Sequence, residues 1–408
     1  MNKRKTPGIT GFTVEFFSFF WNEIGDIIVE YINDANSNGF FITHRRGVIT
    51  LIPKKGDTKS LENRRPICLL DVIYKIVAKV ISMRLDFVIR KLIKPEQTGF
   101  IKGRFIGENL RLTSDVIEYC NTDNIEGLAI ACDFRSAFDS LEHEFIFESL
   151  KAYNFGNSFI QWVKLLYRES YLSVINNGYT SPWFKCTRGT FQGAGHSGLI
   201  FILALEILAI HIRESAEISG IEISGIHTKL SLFADDLLVF CKDQKSAEKT
   251  IEIIKEFSKA SGLSLNEAKS KLMWLGPLKH KRTPVCGIEA HDKIKSLGIY
   301  FSACSSCVAD NVEPITHKIE NVMKVWRQRT LTLKGRITVS KSLIASQLVY
   351  LCSCIKIPKH SIRTIQSNIM RFLWRGRPPK VSKSTLVQEI SDGGLKAVDV
   401  ELSVSLYA

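Results

Sequence analysis

No apolar stretch of the 408-residue sequence is long enough to span a bilayer. The longest, "GLIFILALEILAI" at 198–210, falls short of the ~20 residues a spanning helix needs and carries Glu206, so it reads as a buried helix. A signal peptide is also missing. The opening "MNKRKTPGITGFTVEFF" starts basic, but Pro7, Gly8, Thr10, Gly11 and Glu15 break up any apolar core. The ten cysteines follow no framework: Cys304 and Cys307 form one CxxC, and no second CxxC or His pair completes a zinc site. Free thiols in a reducing, intracellular compartment, cytoplasmic and/or nuclear, are the expectation. No internal repeat and no low-complexity linker divides the chain. Negative charge is scarce, with 41 acidic against 55 basic residues and a net charge of +14. That balance asks for a polyanionic partner, nucleic acid or an acidic membrane surface, and the membrane alternative has no anchor in the sequence.

What is present alternates strand and helix patterns. "GVITLIPKKGD" reads as a strand at 48–52 followed by Pro53, two lysines and a Gly-Asp turn, with "RRPICLL" at 64–70 as the returning strand. Ile73, Ile76, Val77, Val80, Ile81, Leu85, Val88, Ile89 and Leu92 repeat at helical spacing until Pro95. "GLAIACDF" at 127–134 is a strand running into a helical "SAFDSLEHEFIFESLKAY". A helix at 245–260 and one more strand, "KSLGIYFS", follow. Beyond Asp310 the chain turns helical and basic. The pattern predicts an α+β domain followed by a smaller helical one.

The stretch "KLSLFADDLLVF" sets Asp235 and Asp236 at the tip of an otherwise apolar hairpin. Asp133 ends the strand at 127–134 and is the same oddity. Taken alone, both are compatible with solvated turns, where Asp is common. If the strand pairs beside the hairpin, three carboxylates converge, and they cannot all ionise in a dry site without a cation. Hard oxygen donors suit Mg²⁺, and two ions about 4 Å apart can activate a 3′-hydroxyl and stabilise leaving pyrophosphate.

The motifs, in order, resemble the reverse transcriptase of non-LTR (LINE-type) retrotransposons. "TPGITGFTVEFFSFFW" resembles the opening motif. "LIPKKGDTKSLENRRPICLLDVIYKIVAKVISMRL" and "QTGFIKGR" resemble fingers motifs. "ACDFRSAFDSL", "RGTFQGAGHSGLIFILALE", "FADD", "SGLSLNEAKSKLM" and "KSLGIYF" resemble palm motifs. "LTLKGRITVSKSLIASQLVYL" with "FLWRGRPPK" resembles the thumb. The resemblance implies a right-hand polymerase: an N-terminal motif and fingers at 1–125, a palm with an antiparallel sheet at 126–310 and a helical basic thumb at 311–408. It implies Asp133, Asp235 and Asp236 as acids holding two Mg²⁺, with Mn²⁺ as the alternative. Lys54 and Arg65 would clamp the incoming deoxynucleoside triphosphate, a point charge and a fork suited to phosphates. Phe138 would exclude a ribose 2′-hydroxyl, Gln192, Gly193 and Phe233 would lie against the nucleotide, and Lys269 would protonate departing pyrophosphate. Two places depart from the family pattern: Thr10 stands for the usual Asp, and Ala194–Gly198 replace a proline-rich run, which should loosen that loop. His196 there reads as a tolerated substitution and not as a catalytic acid.

Basic residues cluster again near the C-terminus, with Phe372 and Trp374 interleaved. Lys324, Arg327, Arg329, Lys334, Arg336, Arg371, Trp374, Arg375 and Arg377 are the candidates for backbone contacts to an RNA template and a DNA or RNA primer. No nuclease pattern is visible, so the sequence reads as an excised or truncated piece whose endonuclease activity comes from elsewhere. The expectation from another class is a nucleic-acid-binding relic that keeps the fold but not the chemistry.

Overall fold

A computed structural model describes residues 1, 3–54, 57 and 60–401. Of the expected Gly-Asp turn, Gly56 lies outside the described residues, as does Lys55 before it. The chain forms two compact units. The first gathers residues 1–106, 126–272 and 282–290; the second gathers 107–125, 273–281 and 291–408.

Helices α1 (Val14–Phe19) and α2 (Trp21–Asn38) open the chain. Strands β1 (Arg46–Pro53) and β2 (Arg64–Leu69) form the expected hairpin, antiparallel, with Ile52 opposite Arg65. Helix α3 (Val72–Leu92) buries Ile73, Val77, Ile81, Leu85 and Ile89, a stripe at i, i+4 steps. Two residues expected on that face depart from it: Val80 is 44% and Val88 36% exposed. A stripe following the 3.6-residue turn drifts away from them, so the apolar face is narrower than the sequence pattern.

After α4 (Ile106–Thr122) comes β3 (Gly127–Cys132). The helical stretch behind it is two helices, α5 (Ala137–Ser140) and α6 (His143–Ala152), parted at Leu141–Glu142. Helix α7 (Asn157–Tyr167) precedes β4 (Tyr171–Asn176), which pairs parallel with β1, and short strands β5 (Tyr179–Thr180) and β6 (Phe184–Lys185) extend that sheet. The apolar run is helix α8 (Ser197–Glu214), packed against α3, α6 and α9 (Gln244–Ser261) and buried nearly all round. Its Glu206 is paid for by Arg213, whose Nη2 donates to Oε1 at 3.0 Å. A small hairpin, β7 (Ile221–Ile223) and β8 (Ile226–Thr228), leads to β9 (Leu230–Phe233) and β10 (Asp236–Cys241). β10 runs antiparallel to both β9 and β3, with Ile130, Val239 and Phe240 fully buried and α9 against the pair.

Strand β11 (Lys271–Leu275) follows α9. "KSLGIYFS" is not one strand but a hairpin, β12 (Lys293–Ser296) and β13 (Ile299–Ser302). Leu297 and Gly298, with φ of 50° and 86°, make its two-residue turn; a leucine at a left-handed position hid it from the sequence. The rest of the second unit is helical: α10 (Val308–Arg327), α11 (Leu333–Val339), α12 (Ser346–Cys352) and α13 (Lys359–Leu373), with Ile319, Met323, Ile365, Ile369 and Phe372 in its core. Among the described residues no helix is long and apolar enough to cross a membrane.

Candidate active site

The turn between β9 and β10 is Ala234–Asp235, and Ala234 takes a φ of 54°, in the left-handed region. That backbone is held by Gln97, 1% exposed. Gln97 Oε1 accepts from the Ala234 N–H at 2.8 Å and from the Gly99 N–H at 2.9 Å, while its Nε2 donates to the Ala234 carbonyl at 3.2 Å. A Cβ on Gly99 would lie 2.4 Å from the Ala234 nitrogen, so only glycine lets this segment approach the turn. The Thr98 N–H donates to the Leu232 carbonyl at 3.0 Å, and the Leu232 N–H to the Glu96 carbonyl at 2.9 Å. Gln97 opens the "QTGFIKGR" motif, which by itself assigns it no role. Its partner is 137 residues away, a separation no local pattern reports.

Asp235 and Asp236 leave that clamped turn in fixed places. One step past the Leu237–Cys132 pair, the two strands carry Asp236 and Asp133. Asp133 is tied on both sides: its N–H donates to Ser270 Oγ at 3.0 Å, and its carbonyl accepts from the Asn266 N–H at 2.7 Å. The same 266–270 turn carries Lys269, exposed. The carboxylates act on one another. Asp236 is exposed as a residue, but crowding of its carboxyl by the surrounding protein, then Asp235, then Asp133 push it up to about 6. Burial raises Asp235 as well; its own backbone N–H pulls it down, Asp133 raises it, and Arg65 pulls it down.

Arg65 of β2 therefore stands within electrostatic reach of Asp235. Lys54, exposed just past β1, acts in the same way on Asp139, a carboxylate that no pattern in the sequence singles out. Burial raises Asp139, and a hydrogen bond from Gln192 Nε2 at 3.1 Å opposes this. The Gln192 carbonyl accepts from the Cys68 N–H at 2.9 Å, fixing the loop to β2. Gly193 has a φ of 114° and stands where a Cβ would meet the Cys68 carbonyl oxygen at 3.1 Å. Phe138, half-buried, stacks on Phe201 with centroids 4.3 Å apart and meets Phe100 edge-on at 5.9 Å. Phe233, half-buried, is paired with Asp236 in the ladder.

The two departures from the family pattern are absorbed by hydrogen bonds. Thr10 donates its N–H at 3.1 Å and its hydroxyl at 2.8 Å to Asp71 Oδ1. In the loop without prolines, Ser197 Oγ donates to the Phe191 carbonyl at 2.8 Å. His196 is fully buried, 3.1 Å from the Tyr167 hydroxyl, and burial holds its pKa down near 3, so its ring is neutral at pH 7 and does not act as an imidazolium acid.

Like charges crowded at a strand end are what a divalent cation relieves, and every donor here is a hard oxygen. Among the described residues no three His, Cys, Asp or Glu side chains converge closely enough to ligate an ion alone. The convergence of Asp133, Asp235 and Asp236 expected from the sequence is therefore not seen here as a ready ligand set.

The C-terminal candidates lie in the second unit. Lys324, Arg327 and Arg329 sit at the end of α10, Lys334 and Arg336 on α11, and Arg371, Trp374, Arg375 and Arg377 at the end of α13. Arg336 and Trp374 are half-buried and the others exposed. The fold brings Arg327, Arg329, Arg336, Arg371 and Arg375 around one cavity; the other four do not line it.

A model of the family described as reverse transcriptase (RNA-dependent DNA polymerase) matches residues 52–301. The chain is 31% identical to the Transposon TX1 uncharacterized 149 kDa protein of Xenopus laevis, over 100% of this chain and 32% of that protein. It is 26% identical to the Retrovirus-related Pol polyprotein from type-2 retrotransposable element R2DM of Drosophila melanogaster, over 73% of this chain and 29% of that protein. It thus spans about a third of the length of these relatives. The solved structure of apo telomerase from Candida tropicalis is similar over 88% of this chain and 63% of that one, at 14% identity and a TM-score of 0.48. The matched region runs from the end of β1 to β13 and encloses Asp133, Asp235 and Asp236, and this α+β chain belongs to the reverse transcriptase (RNA-dependent DNA polymerase) family, among relatives from non-LTR retrotransposons.

Proposed function

We propose that the chain is the RNA-directed DNA polymerase of a LINE-type element, extending a DNA or RNA primer on an RNA template with deoxynucleoside triphosphates. The observation that carries this reading is the clamped Ala234–Asp235 turn, whose acids interact with Asp133 and with Arg65 of the β1–β2 hairpin. Residues 1–125 then serve as opening motif and fingers, 126–310 as palm and 311–408 as thumb. RNA and nucleotide substrates set an intracellular workplace.

Asp133 and Asp235 would hold divalent metal directly, with Asp236 beside them. Two Mg²⁺, or Mn²⁺, bound there would supply Lewis acidity for attack by the 3′-oxygen and departure of pyrophosphate. Arg65 grips the triphosphate as a fork and Lys54 adds a point charge, which brings counter-charge to the acid side of the site. Gln192, Gly193 and Phe233 back the nascent base pair, where Gly193 allows close approach of the backbone. Phe138, braced by Phe201, fills the space a 2′-hydroxyl would need. Lys269 delivers a proton to pyrophosphate from the turn bonded to Asp133. The test is primer extension on a homopolymer RNA template with Mg²⁺ and deoxynucleotides. Extension is expected; template binding without any extension would mark a relic that keeps only the fold.

A further inference from the structure

We propose that the second unit carries a discrete phosphate-binding pocket, in which Arg336 and Arg375 grip one phosphate group and Arg327, Arg329 and Arg371 surround it. The proposal deepens the nucleic-acid reading of these residues and rests on it for the source of the phosphate. The cavity measures about 340 Å³ and lies among the end of α10, the start of α11 and the end of α13. Five arginines line it together with Trp326, Gln328, Thr330, Phe372 and Gly376, and among the described residues no carboxylate does.

The arrangement of the guanidiniums leaves them short of partners. Arg375 Nη2 donates to the Leu331 carbonyl at 2.9 Å and Arg336 Nη1 reaches the same oxygen at 3.4 Å, so two cations share one neutral acceptor. Arg336 Nε is buried with no hydrogen-bond partner. None of the five forms an ion pair among the described residues. Burial, then the charge of Arg375, lowers the pKa of Arg336, the direction expected of a cation lacking its anion.

Helix ends account for only part of this. Arg327 and Arg371 lie in the last turns of α10 and α13, where cations are favoured by the helix dipole. Arg336 is inside α11, and Arg375 follows α13 with a φ of 54°, at a position glycine usually takes. An arginine is held there in a strained backbone with its fork on the pocket. Paired forks match the oxygens of a phosphate, and the volume admits a phosphate with its attached sugar.

The test uses the whole chain and inorganic phosphate as probe, with ionic strength held constant by chloride. Thermal melting should shift saturably with phosphate. Arg375→Gly, which suits the backbone, and Arg336→Gln should each weaken that response by at least about tenfold. The dependence of template–primer affinity on log salt should also lose about one unit of slope in Arg375→Gly. Competing oligonucleotides tell the sources apart: equal competition by 5′-phosphorylated and 5′-hydroxyl strands assigns the pocket to backbone phosphodiester, and competition by the phosphorylated strand alone assigns it to a terminal phosphate. If both variants keep the wild-type phosphate response and salt slope, the pocket is not a phosphate site. The phosphate measurement needs neither primer nor nucleotide, so an inactive polymerase and an empty pocket are separate results.

Discussion

The acids of the first unit and the arginines of the second are both clusters of like charge, assembled by opposite means. Asp133, Asp235 and Asp236 have short side chains, so their positions follow the backbone of a strand end and a tight turn, each tied by hydrogen bonds from distant segments. The arginines have long side chains that reach one cavity from α10, α11, α13 and the turns after α10 and α13. A site built on backbone is placed before its ligand arrives; a site built on long side chains must lose rotamer freedom to bind. The first arrangement suits chemistry, where small misplacements are costly, and the second suits holding a phosphate.

The contrast breaks most sharply on Asp235→Asn. It should lower primer extension by about a thousandfold or more, since catalysis of this kind depends on positioned charge, while the salt slope of template–primer binding stays at the wild-type value. Extension within a few-fold of wild type would remove Asp235 from the chemistry.

Gln97→Leu tests whether the acid site depends on its backbone. Loss of the two hydrogen bonds to Ala234 should lower kcat by about ten- to a hundredfold with the affinity for template–primer unchanged. Gln97→Glu, which keeps an acceptor for the Ala234 N–H, should retain more activity. A fall in melting temperature with kcat untouched would make Gln97 a packing residue only.

Phe138→Val comes next in size. Ribonucleotide use relative to deoxynucleotide use should rise by about tenfold or more, a difference of about 1.4 kcal/mol. Because Phe138 stacks on Phe201, some stability should go with it. A melting temperature that drops while the nucleotide ratio holds would place sugar selection at another residue.

The smallest effect separates the two sites by pH. Asp236 is raised from an ordinary 3.8 to about 6, so between these values the folded chain binds more protons than the unfolded one, and stability falls as pH rises through that window. Mg²⁺ favours the charged carboxylate and should therefore raise the melting temperature more above pH 6 than below it. Asp236→Asn should flatten that difference. Phosphate stabilisation by the arginines should show no such dependence from the protein side, because arginine stays charged throughout.

Much of this was legible without a structure. The β1–β2 pair, α3, the strand before Asp133, the acid hairpin and α8 announce themselves through local patterns of apolar residues, because burial on one face or on all sides repeats with the period of the element. Even there, Val80 and Val88 fit the pattern and are exposed, and Leu297 hid a turn.

The sequence by itself determined which short stretches become strands and helices, the acid character of the hairpin tip and the surplus of arginine near the C-terminus, since these depend on neighbours a few residues apart. Only the tertiary structure decided that Gln97 clamps Ala234, that Gln192 meets Asp139 and that five arginines share one cavity. Those contacts join distant residues, and their geometry follows from how whole elements pack, which no local period encodes.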